Sequence, residues 1–211
     1  MKKHLFPLIL IILSAAVWLA VYSRLPAQIP THWNFSGEAD DYATKLNAMI
    51  SQLGIMVLIY GTMAFLPKVD PRKANYRYFS KSYAIIMNAM LAIFFLLNLL
   101  VLFNALGVSV PMSTVVPAVI GLLFIILGNY FQRVRSNFFI GIRTPWTLSS
   151  ENVWKKTHRL SGKLFFAGGV VMLLAVFLPE GPQEAVIITV ITVILFIPYL
   201  YSYLEFRKEK K

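Results

Sequence analysis

The stretch SYAIIMNAMLAIFFLLNLLVLFNALGVSVPMSTVVPAVIGLLFIILGNYFQ, residues 82–132, contains no charged residue and decides the fold class. A transmembrane helix needs about 20 predominantly apolar residues to cross a hydrocarbon core roughly 30 Å thick. The stretch is too long for one crossing, and ALGVSVPMS at 105–113 contains the glycine and proline that are typical of a turn. The sequence therefore predicts two membrane-spanning helices that are joined by a short uncharged loop.

Four further apolar runs extend this prediction to six transmembrane helices. Each run is bounded by charged residues, proline or glycine, and the whole chain is 58% hydrophobic with 14% charged residues. This composition leaves little room for a separate soluble domain, so we predict an all-α integral membrane protein that forms one compact membrane domain. The six predicted spans lie at 5–23, 47–66, 83–104, 114–132, 163–179 and 184–204.

The distribution of basic residues predicts the orientation of these helices. The chain carries 20 Lys and Arg against 9 Asp and Glu, and every basic residue except Arg24 and Lys45 falls on the same side of the membrane as the N-terminus. Cytoplasmic segments carry the excess of Lys and Arg, so both termini are predicted to be cytoplasmic. The basic and aromatic run at 72–83 then indicates interfacial anchoring, and no direct contact with nucleic acid is predicted.

The first apolar run, 5–23, could be read as a cleaved signal peptide because it follows two lysines. Its apolar core is longer than the usual 7–15 residues of a signal peptide, and no clear A-x-A cleavage pattern follows it. We therefore predict that this run stays in the protein as the first membrane span.

The residue types that several chemistries need are missing or badly spaced. Cysteine is absent, the three histidines are far apart in sequence, and no phosphate-binding glycine loop or G-x-S-x-G motif occurs. No Asp, Glu, Lys or Arg falls inside the predicted spans beyond their end residues Lys163 and Glu184, which disfavours ion-coupled transport. We therefore predict no enzymatic activity, no catalytic residue, no cofactor and no bound metal.

Polar and small residues inside the predicted spans indicate contacts between helices. Asn88 and Asn98 are ten positions apart, which turns them by about 80° around a helix, so they do not form one polar stripe. Amides at such positions bond across helices, and glycines let two helix backbones approach closely. The glycines expected in such contacts are Gly121, Gly128, Gly168 and Gly169.

The outer loop, 24–46, carries the dense polar stretch IPTHWNFSGE at 29–38. Two prolines keep the chain extended, and NFSG predicts a turn that is followed by clustered carboxylates. Three interpretations stay open: a divalent-cation site, a turn with a solvated acidic rim, and a recognition surface for a cationic or amphipathic ligand. The residues expected to carry recognition are His32, Trp33, Asn34, Gly37, Glu38 and Asp40.

The inner loop, 133–162, is the second long connection. Its asparagine and glycine suit turns, and Ser149 or Ser150 is expected to cap an interfacial helix that starts near Glu151 and runs into the fifth span. The loop is interpreted either as an anchor on the membrane surface or as a docking site for a cytoplasmic partner. The candidate residues of this inner motif are Asn129, Asn137, Gly141, Arg143, Thr144, Pro145, Trp146, Thr147 and Trp154.

Two motifs resemble known families. LPAQIPTHWNFSGEAD at 25–40 resembles a small N-terminal module of many bacterial membrane proteins, and GNYFQRVRSNFFIGIRTPWTLSSENVWKKTHRLSGK at 128–163 resembles the SdpI-like immunity family. We therefore divide the chain into an N-terminal module, 1–66, and an SdpI-like module, 67–211. The resemblance implies a multi-pass protein of the bacterial plasma membrane that protects against a secreted peptide toxin. In the type system the immunity protein also holds a DNA-binding autorepressor at the membrane.

The two loops also resemble each other. IPTHWNFSGE at 29–38 and IRTPWTLSSE at 142–151 share Ile, Thr, Trp, Ser and Glu at equivalent positions. Each segment follows the first helix of a three-helix half, and the two halves are predicted to have opposite orientation. This arrangement predicts a 3+3 inverted repeat, an organisation that is common in transporters.

The leading functional hypothesis is immunity to a membrane-active peptide. The outer loop would sense or sequester the agent, and the inner loop would then change its exposure to a cytoplasmic regulator or to lipid. Such coupling requires that the agent prefer one of two conformations. The alternative is a transporter or flippase-like protein for an uncharged or amphipathic substrate.

Overall fold

The computed structural model describes residues 2–210, and their secondary structure is almost entirely helical. Five helices are long and apolar enough to cross a membrane: α1, α2, α3, α4 and α7. The chain is thus an all-α membrane protein. Its elements are α1 (Lys2–Val21), β1 (Gln28–Trp33), β2 (Ala39–Thr44), α2 (Lys45–Val69), a 3-10 turn (Lys73–Asn75), α3 (Tyr76–Ala105), α4 (Met112–Phe131), α5 (Pro145–Ser149), α6 (Glu151–Ala175) and α7 (Glu180–Glu209).

Local capping chemistry sets several helix ends. The Ser150 hydroxyl accepts a hydrogen bond from the backbone N–H of Val153, so α6 begins where the sequence predicts. Thr144 and Thr147 form a reciprocal capping box at the start of α5. At the other end of a helix, α2 stops at Val69 because Pro71 cannot continue it. These local signals also explain why α6 is one continuous helix from the predicted interfacial segment into the apolar segment.

Helices α1, α2 and α3 pack together as a first bundle, and a buried amide joins two of them. The indole Nε1 of Trp18 donates to Asn98 Oδ1 over 2.6 Å, and Asn98 Nδ2 donates to the Ser14 hydroxyl over 2.6 Å. Asn98 is on α3, whereas Trp18 and Ser14 are on α1. The predicted helix contact of Asn98 is therefore confirmed.

Helices α4, α6 and α7 form a second bundle in which α4 and α6 touch through glycines. Gly121 faces Gly169, and Gly128 faces Gly162, so that a methyl group at any of the four would come closer than 3.0 Å to the opposite backbone. Gly168 instead lies against the side chains of α7. The predicted close-packing role of these glycines is confirmed, and Gly162 completes a set of two facing pairs.

The outer loop folds into an antiparallel β-hairpin, which the sequence analysis did not predict. The predicted turn is present at its tip: Asn34 N–H donates to Glu38 O over 2.9 Å, and Gly37 adopts φ +80°. Ile29 on β1 is fully buried against Trp18 and the start of α2, which fixes the hairpin to the first bundle. The chain that Pro26 and Pro30 were predicted to keep extended therefore includes a paired strand, β1.

The two segments of the predicted inverted repeat have different secondary structures. IPTHWNFSGE forms strand β1 and the hairpin turn, whereas IRTPWTLSSE is extended to Thr144 and then forms the short helix α5. The packing of the halves also differs, because α1 packs mainly on α3 but α4 packs mainly on α6. The inverted repeat itself stays a prediction.

Candidate functional site

A cleft of about 560 Å³ opens between the two bundles beneath the β-hairpin. Its walls are largely apolar, and its polar groups lie near the hairpin and the first turn of α7. We call this space the outer cleft. Its lining residues are Thr31, His32, Trp33, Asn34, Phe35, Ser51, Gln52, Ile55, Phe94, Leu97, Leu100, Val101, Met112, Ser113, Val116, Pro117, Ile120, Met172, Glu180, Gln183, Glu184, Ile187 and Ile191.

The hairpin tip reaches across the top of the outer cleft to the second bundle. The Ser36 hydroxyl donates to the Glu180 carboxylate at the start of α7. Gly37 lies against Ser113 on α4, where an added Cβ would be 3.1 Å from the hydroxyl oxygen. Ser113 O in turn accepts a hydrogen bond of 2.9 Å from Gln183 Nε2. The hairpin therefore touches both α4 and α7.

The structure separates the predicted outer residues into two groups. His32, Trp33 and Asn34 line the outer cleft, whereas Gly37, Glu38 and Asp40 shape the hairpin beside it. Asn34 Oδ1 accepts the backbone N–H of Glu38 over 3.0 Å, and His32 Nδ1 lies 2.6 Å from Asp40 Oδ1.

Two cleft carboxylates, Glu180 and Glu184, were missing from the predicted recognition set. They are separated from the predicted motif by more than 140 residues of sequence. The fold brings the two regions together, because the Ser36 hydroxyl in the motif donates a hydrogen bond to Glu180.

The acidic residues of the hairpin lie in separate contacts. Within residues 2–210 no group of three or more His, Asp and Glu side chains is placed to hold a metal ion. The 2.6 Å contact between His32 and Asp40 is an exposed pair. The other hairpin carboxylates, Glu38 and Asp41, accept hydrogen bonds from the Asn34 amide, the Thr31 hydroxyl and the backbone N–H of Tyr42. Three of the predicted recognition residues, His32, Trp33 and Asn34, open into the cleft, and the recognition role of this loop stays a prediction.

On the inner face, the buried carboxylate of Asp70 connects the first bundle to the inner motif. Asp70 is 1% exposed, and its Oδ1 accepts the backbone N–H of Arg72 over 2.6 Å. Its Oδ2 accepts the Tyr76 hydroxyl and the backbone N–H of Phe138, each over 3.0 Å. A buried carboxylate needs such partners, since an unpaired one would be costly. The guanidinium of Arg72 extends the connection to Leu148 O at 2.8 Å.

Asn137 forms the centre of the inner motif. Its Oδ1 accepts the backbone N–H groups of Phe139 and Ile140 over 2.9 and 2.7 Å, and its Nδ2 donates to Arg135 O over 2.8 Å. The Tyr76 hydroxyl is 3.2 Å from the same Oδ1. The side chain thus supplies hydrogen-bond partners for backbone N–H and C=O groups of a tight turn, which would otherwise be buried without partners.

His158 binds the backbone of the next turn of the inner motif, at Gly141 and Ile142. Its Nε2 accepts the backbone N–H of Ile142 over 3.1 Å, so its Nδ1 carries the proton that is donated to Trp154 O over 2.9 Å. The imidazole stacks on the Trp154 ring at 4.0 Å between centroids. Burial lowers the pKa of His158 to about 4, so the ring is neutral at physiological pH. Gly141, at φ +107°, leaves the space that His158 Nε2 occupies.

The inner motif also attaches to α7. The Thr144 hydroxyl is 3.0 Å from the Ser202 hydroxyl, and the Trp146 ring lies 5.2 and 5.0 Å from the rings of Tyr199 and Tyr203. The buried carboxylate of Glu205 binds Lys156 on α6 and Lys208 on α7, each over 2.7 Å.

We call these contacts together the inner polar cluster. Its members are Asp70, Arg72, Asn75, Tyr76, Ser136, Asn137, Gly141, Thr144, Thr147, Trp154, His158, Ser202 and Glu205.

The structure brings most, but not all, of the predicted inner residues together. Asn137, Gly141, Thr144, Thr147 and Trp154 belong to the inner polar cluster, and Trp146 packs on α7.

Three predicted inner residues lie outside the buried cluster. Asn129 is exposed on α4 and bonds only to the carbonyl of Ile125 on its own helix, Pro145 is an exposed first-turn residue of α5, and Arg143 is exposed with its guanidinium on Phe138 O.

The chain thus defines a class of membrane protein with a β-hairpin over a cleft at one end and a buried polar cluster at the opposite end. The SdpI/YfhL family model matches residues 133–202, which contain the inner motif, and a domain of unknown function, DUF1648, matches residues 9–57, which contain the hairpin. The chain is 29% identical over 208 residues to the immunity protein SdpI of Bacillus subtilis (strain 168), covering 99% of this chain and 98% of that protein. These matches support a relationship between the chain and the SdpI-like family. No solved structure matches it.

Proposed function

We propose that this protein is a non-enzymatic immunity protein of the bacterial plasma membrane, which gives resistance to a secreted membrane-active peptide toxin. The observation that carries the proposal is the outer cleft. Its rim includes the outer loop, whose sequence resembles a module of other bacterial membrane proteins. The similarity to an immunity protein over almost the whole length of both chains supports it. In this mechanism the hairpin and cleft sequester the toxin before it damages the bilayer.

The proposal includes six membrane spans with both termini in the cytoplasm. Helix α6 would be the sixth span through its apolar part, which follows Lys163. The basic residues at the inner polar cluster and the acidic residues at the hairpin support this orientation. The division into modules 1–66 and 67–211 within one compact domain remains part of the same proposal.

Deletion of the gene tests the immunity function directly. Cells that lack the gene should become sensitive to culture supernatants of related toxin-producing strains, and a plasmid copy of the wild-type gene should restore resistance. Unchanged sensitivity across such supernatants would contradict immunity.

We further propose that toxin binding is relayed to a cytoplasmic regulator through the inner motif. The cleft and the inner polar cluster are both built from the two bundles, so a change in the spacing of the bundles would reach both sites. Transcript profiles should then show a toxin response in wild-type cells that is lost in the deletion strain and restored by the plasmid copy. A response that persists without the gene would contradict the relay.

The apolar cleft between two bundles also favours the second candidate, a transporter or flippase-like protein for an uncharged or amphipathic substrate. Purified protein in sealed vesicles would then move a fluorescent amphipathic peptide or lipid across the bilayer. Movement no faster than in protein-free vesicles would exclude this alternative for the probes used, and binding without movement would favour immunity by sequestration.

A further inference from the structure

We propose that the outer cleft binds a cationic amphipathic peptide segment, whose positive group pairs with Glu184 and whose apolar face lies against the cleft walls. The inference deepens the proposed immunity function by assigning a ligand chemistry to one site. It is carried by the charge and burial of the lining residues.

Glu184 is the first reason to expect a cationic ligand. Its side chain is partly buried in the lining of a mostly apolar cleft, and it forms no ion pair within residues 2–210. A carboxylate without a partner in such a lining is available to an incoming cation, with which it would form a charge-assisted hydrogen bond. The basic side chain of Lys45 on the same face is directed elsewhere, with its Nζ over the Tyr22 ring at 4.7 Å and 3.3 Å from Tyr22 O.

The neighbouring polar groups on α7 are also hydrogen-bond acceptors. Glu180 is a carboxylate that takes one hydrogen bond from Ser36 at the hairpin tip. Gln183 is only 7% exposed and uses its Nε2 on Ser113 O, while its Oε1 accepts no hydrogen bond from residues 2–210. Acceptors of this kind match a ligand that supplies N–H donors, such as the ammonium of lysine or the guanidinium of arginine.

The walls below these acceptors match an apolar ligand face. They come from four helices of both bundles, so a segment that enters the cleft would contact α2, α3, α4 and α7 together. The principal apolar wall residues are Ile55, Phe94, Leu97, Val116, Pro117, Ile120, Ile187 and Ile191.

Charge selects a peptide over a phospholipid as the occupant. Every phospholipid carries a phosphate, and a phosphate placed beside Glu180 and Glu184 would be repelled by the two carboxylates. A peptide that carries lysine or arginine along one apolar face has the complementary charge, so the same two carboxylates would attract it.

Titration calorimetry with full-length protein in nanodiscs tests the proposal, with empty nanodiscs as the blank. The probe is a synthetic amphipathic Leu/Lys peptide, compared with a Leu/Glu peptide of equal length. Glu184→Gln should weaken binding of the Leu/Lys peptide about tenfold, because it removes one charge pair. The matched control is Asp41→Asn, which changes a carboxylate on the same face that does not line the cleft and should leave binding unchanged.

A second pair of variants tests the cleft without changing its charge. Val116→Phe should fill the cleft and reduce binding of the Leu/Lys peptide at least tenfold, whereas Val171→Phe adds the same bulk on an exposed face of α6 and should have no effect. Equal binding by wild type and both cleft variants, or equal binding of the Leu/Glu peptide, would overturn the proposal. Quenching of Trp33 by brominated phospholipid that the Leu/Lys peptide does not relieve would also overturn it, since lipid would then be the occupant.

Resistance assays separate failure of this inference from failure of the immunity proposal. If gene deletion sensitises cells while Glu184→Gln and Val116→Phe protect as well as wild type, the cleft assignment is wrong and immunity stands. If deletion has no effect, immunity is wrong, and the calorimetry still decides whether the cleft binds the cationic peptide.

Discussion

The two ends of the molecule treat polar groups in opposite ways. In the inner polar cluster, carboxylates, amides, hydroxyls and an imidazole are buried and have partners, as the three hydrogen bonds to Asp70 show. In the outer cleft, Glu184 and Gln183 Oε1 face an open space without partners from residues 2–210. Satisfied groups hold a structure together, whereas unsatisfied groups beside a cavity are available to a ligand. The comparison therefore leads us to propose that the inner end contributes mainly to stability and the outer end to recognition.

The largest loss of stability is expected from removal of the Asp70 carboxylate at the inner end. Asp70→Ala should lower the free energy of unfolding by about 3 kcal/mol, because it leaves two backbone N–H groups without an acceptor in a buried site. The Tyr76 hydroxyl would lose its 3.0 Å contact with Asp70 and keep only the 3.2 Å contact with Asn137. Thermal unfolding in detergent, followed by circular dichroism, measures the loss. Glu184→Gln is the matched outer variant, and if it cost as much stability the division of roles would be wrong.

The pH dependence of His158 gives the next largest effect. The pKa of His158 is about 4 in the folded protein, compared with 6.5 for a histidine in the unfolded chain. Between these two pH values the unfolded chain therefore binds a proton that the folded chain does not. Stability from this group is fully present above pH 6.5 and falls as the pH falls, by about 3 kcal/mol once pH 4 is reached. Unfolding measured at pH 7, 6 and 5 should show this loss, and His158→Gln should have a flatter dependence. Identical slopes for the two proteins would rule out this role for His158.

The glycine contacts between α4 and α6 should give an effect of intermediate size. Gly169→Ala should destabilise the protein by about 2 kcal/mol, because the added methyl group would collide with the backbone around Gly121. Gly61→Ala is the control, since a Cβ there meets no atom within 4 Å and alanine favours the helix. Melting temperatures of the two variants decide the point, and equal values would mean that the helices can separate without cost.

The smallest effect on stability is expected at the outer hairpin. Asp40→Asn removes the exposed pair with His32, and exposed pairs contribute little because solvent screens them. The melting temperature should match that of wild type, while resistance to toxin-containing supernatant reports whether this side of the hairpin takes part in recognition. A marked fall in melting temperature would place a stabilising contact at the end to which the comparison assigns recognition.

Features determined by neighbouring residues were predictable from the sequence. The apolar runs, the Ser150 cap and the Asn34–Gly37 turn follow from local chemistry, and they appear where they were expected. The hairpin was missed because Pro30 in β1 and the two aspartates in β2 are poor strand formers, and burial of Ile29 outweighs that propensity.

The candidate sites were only partly predictable because they depend on distant pairings. Asp70 meets Phe138 across 68 positions, and Ser36 meets Glu180 across 144. Asp70 follows a helix end and His158 is a lone histidine, so neither carries a sequence signal beyond its residue type. Only the folded chain shows that one is a buried acceptor for three donors and that the other accepts a backbone N–H.

The paired glycines of α4 and α6 have a mechanical consequence. Because carbonyl oxygens lie where side chains would otherwise be, sliding one helix along the other would bring bulkier neighbours into the same narrow gap. The close contact should therefore resist sliding of α4 along α6, and both helices border the outer cleft through Ile120 and Met172. We expect a ligand that displaces one of these helices at the cleft to displace the other with it.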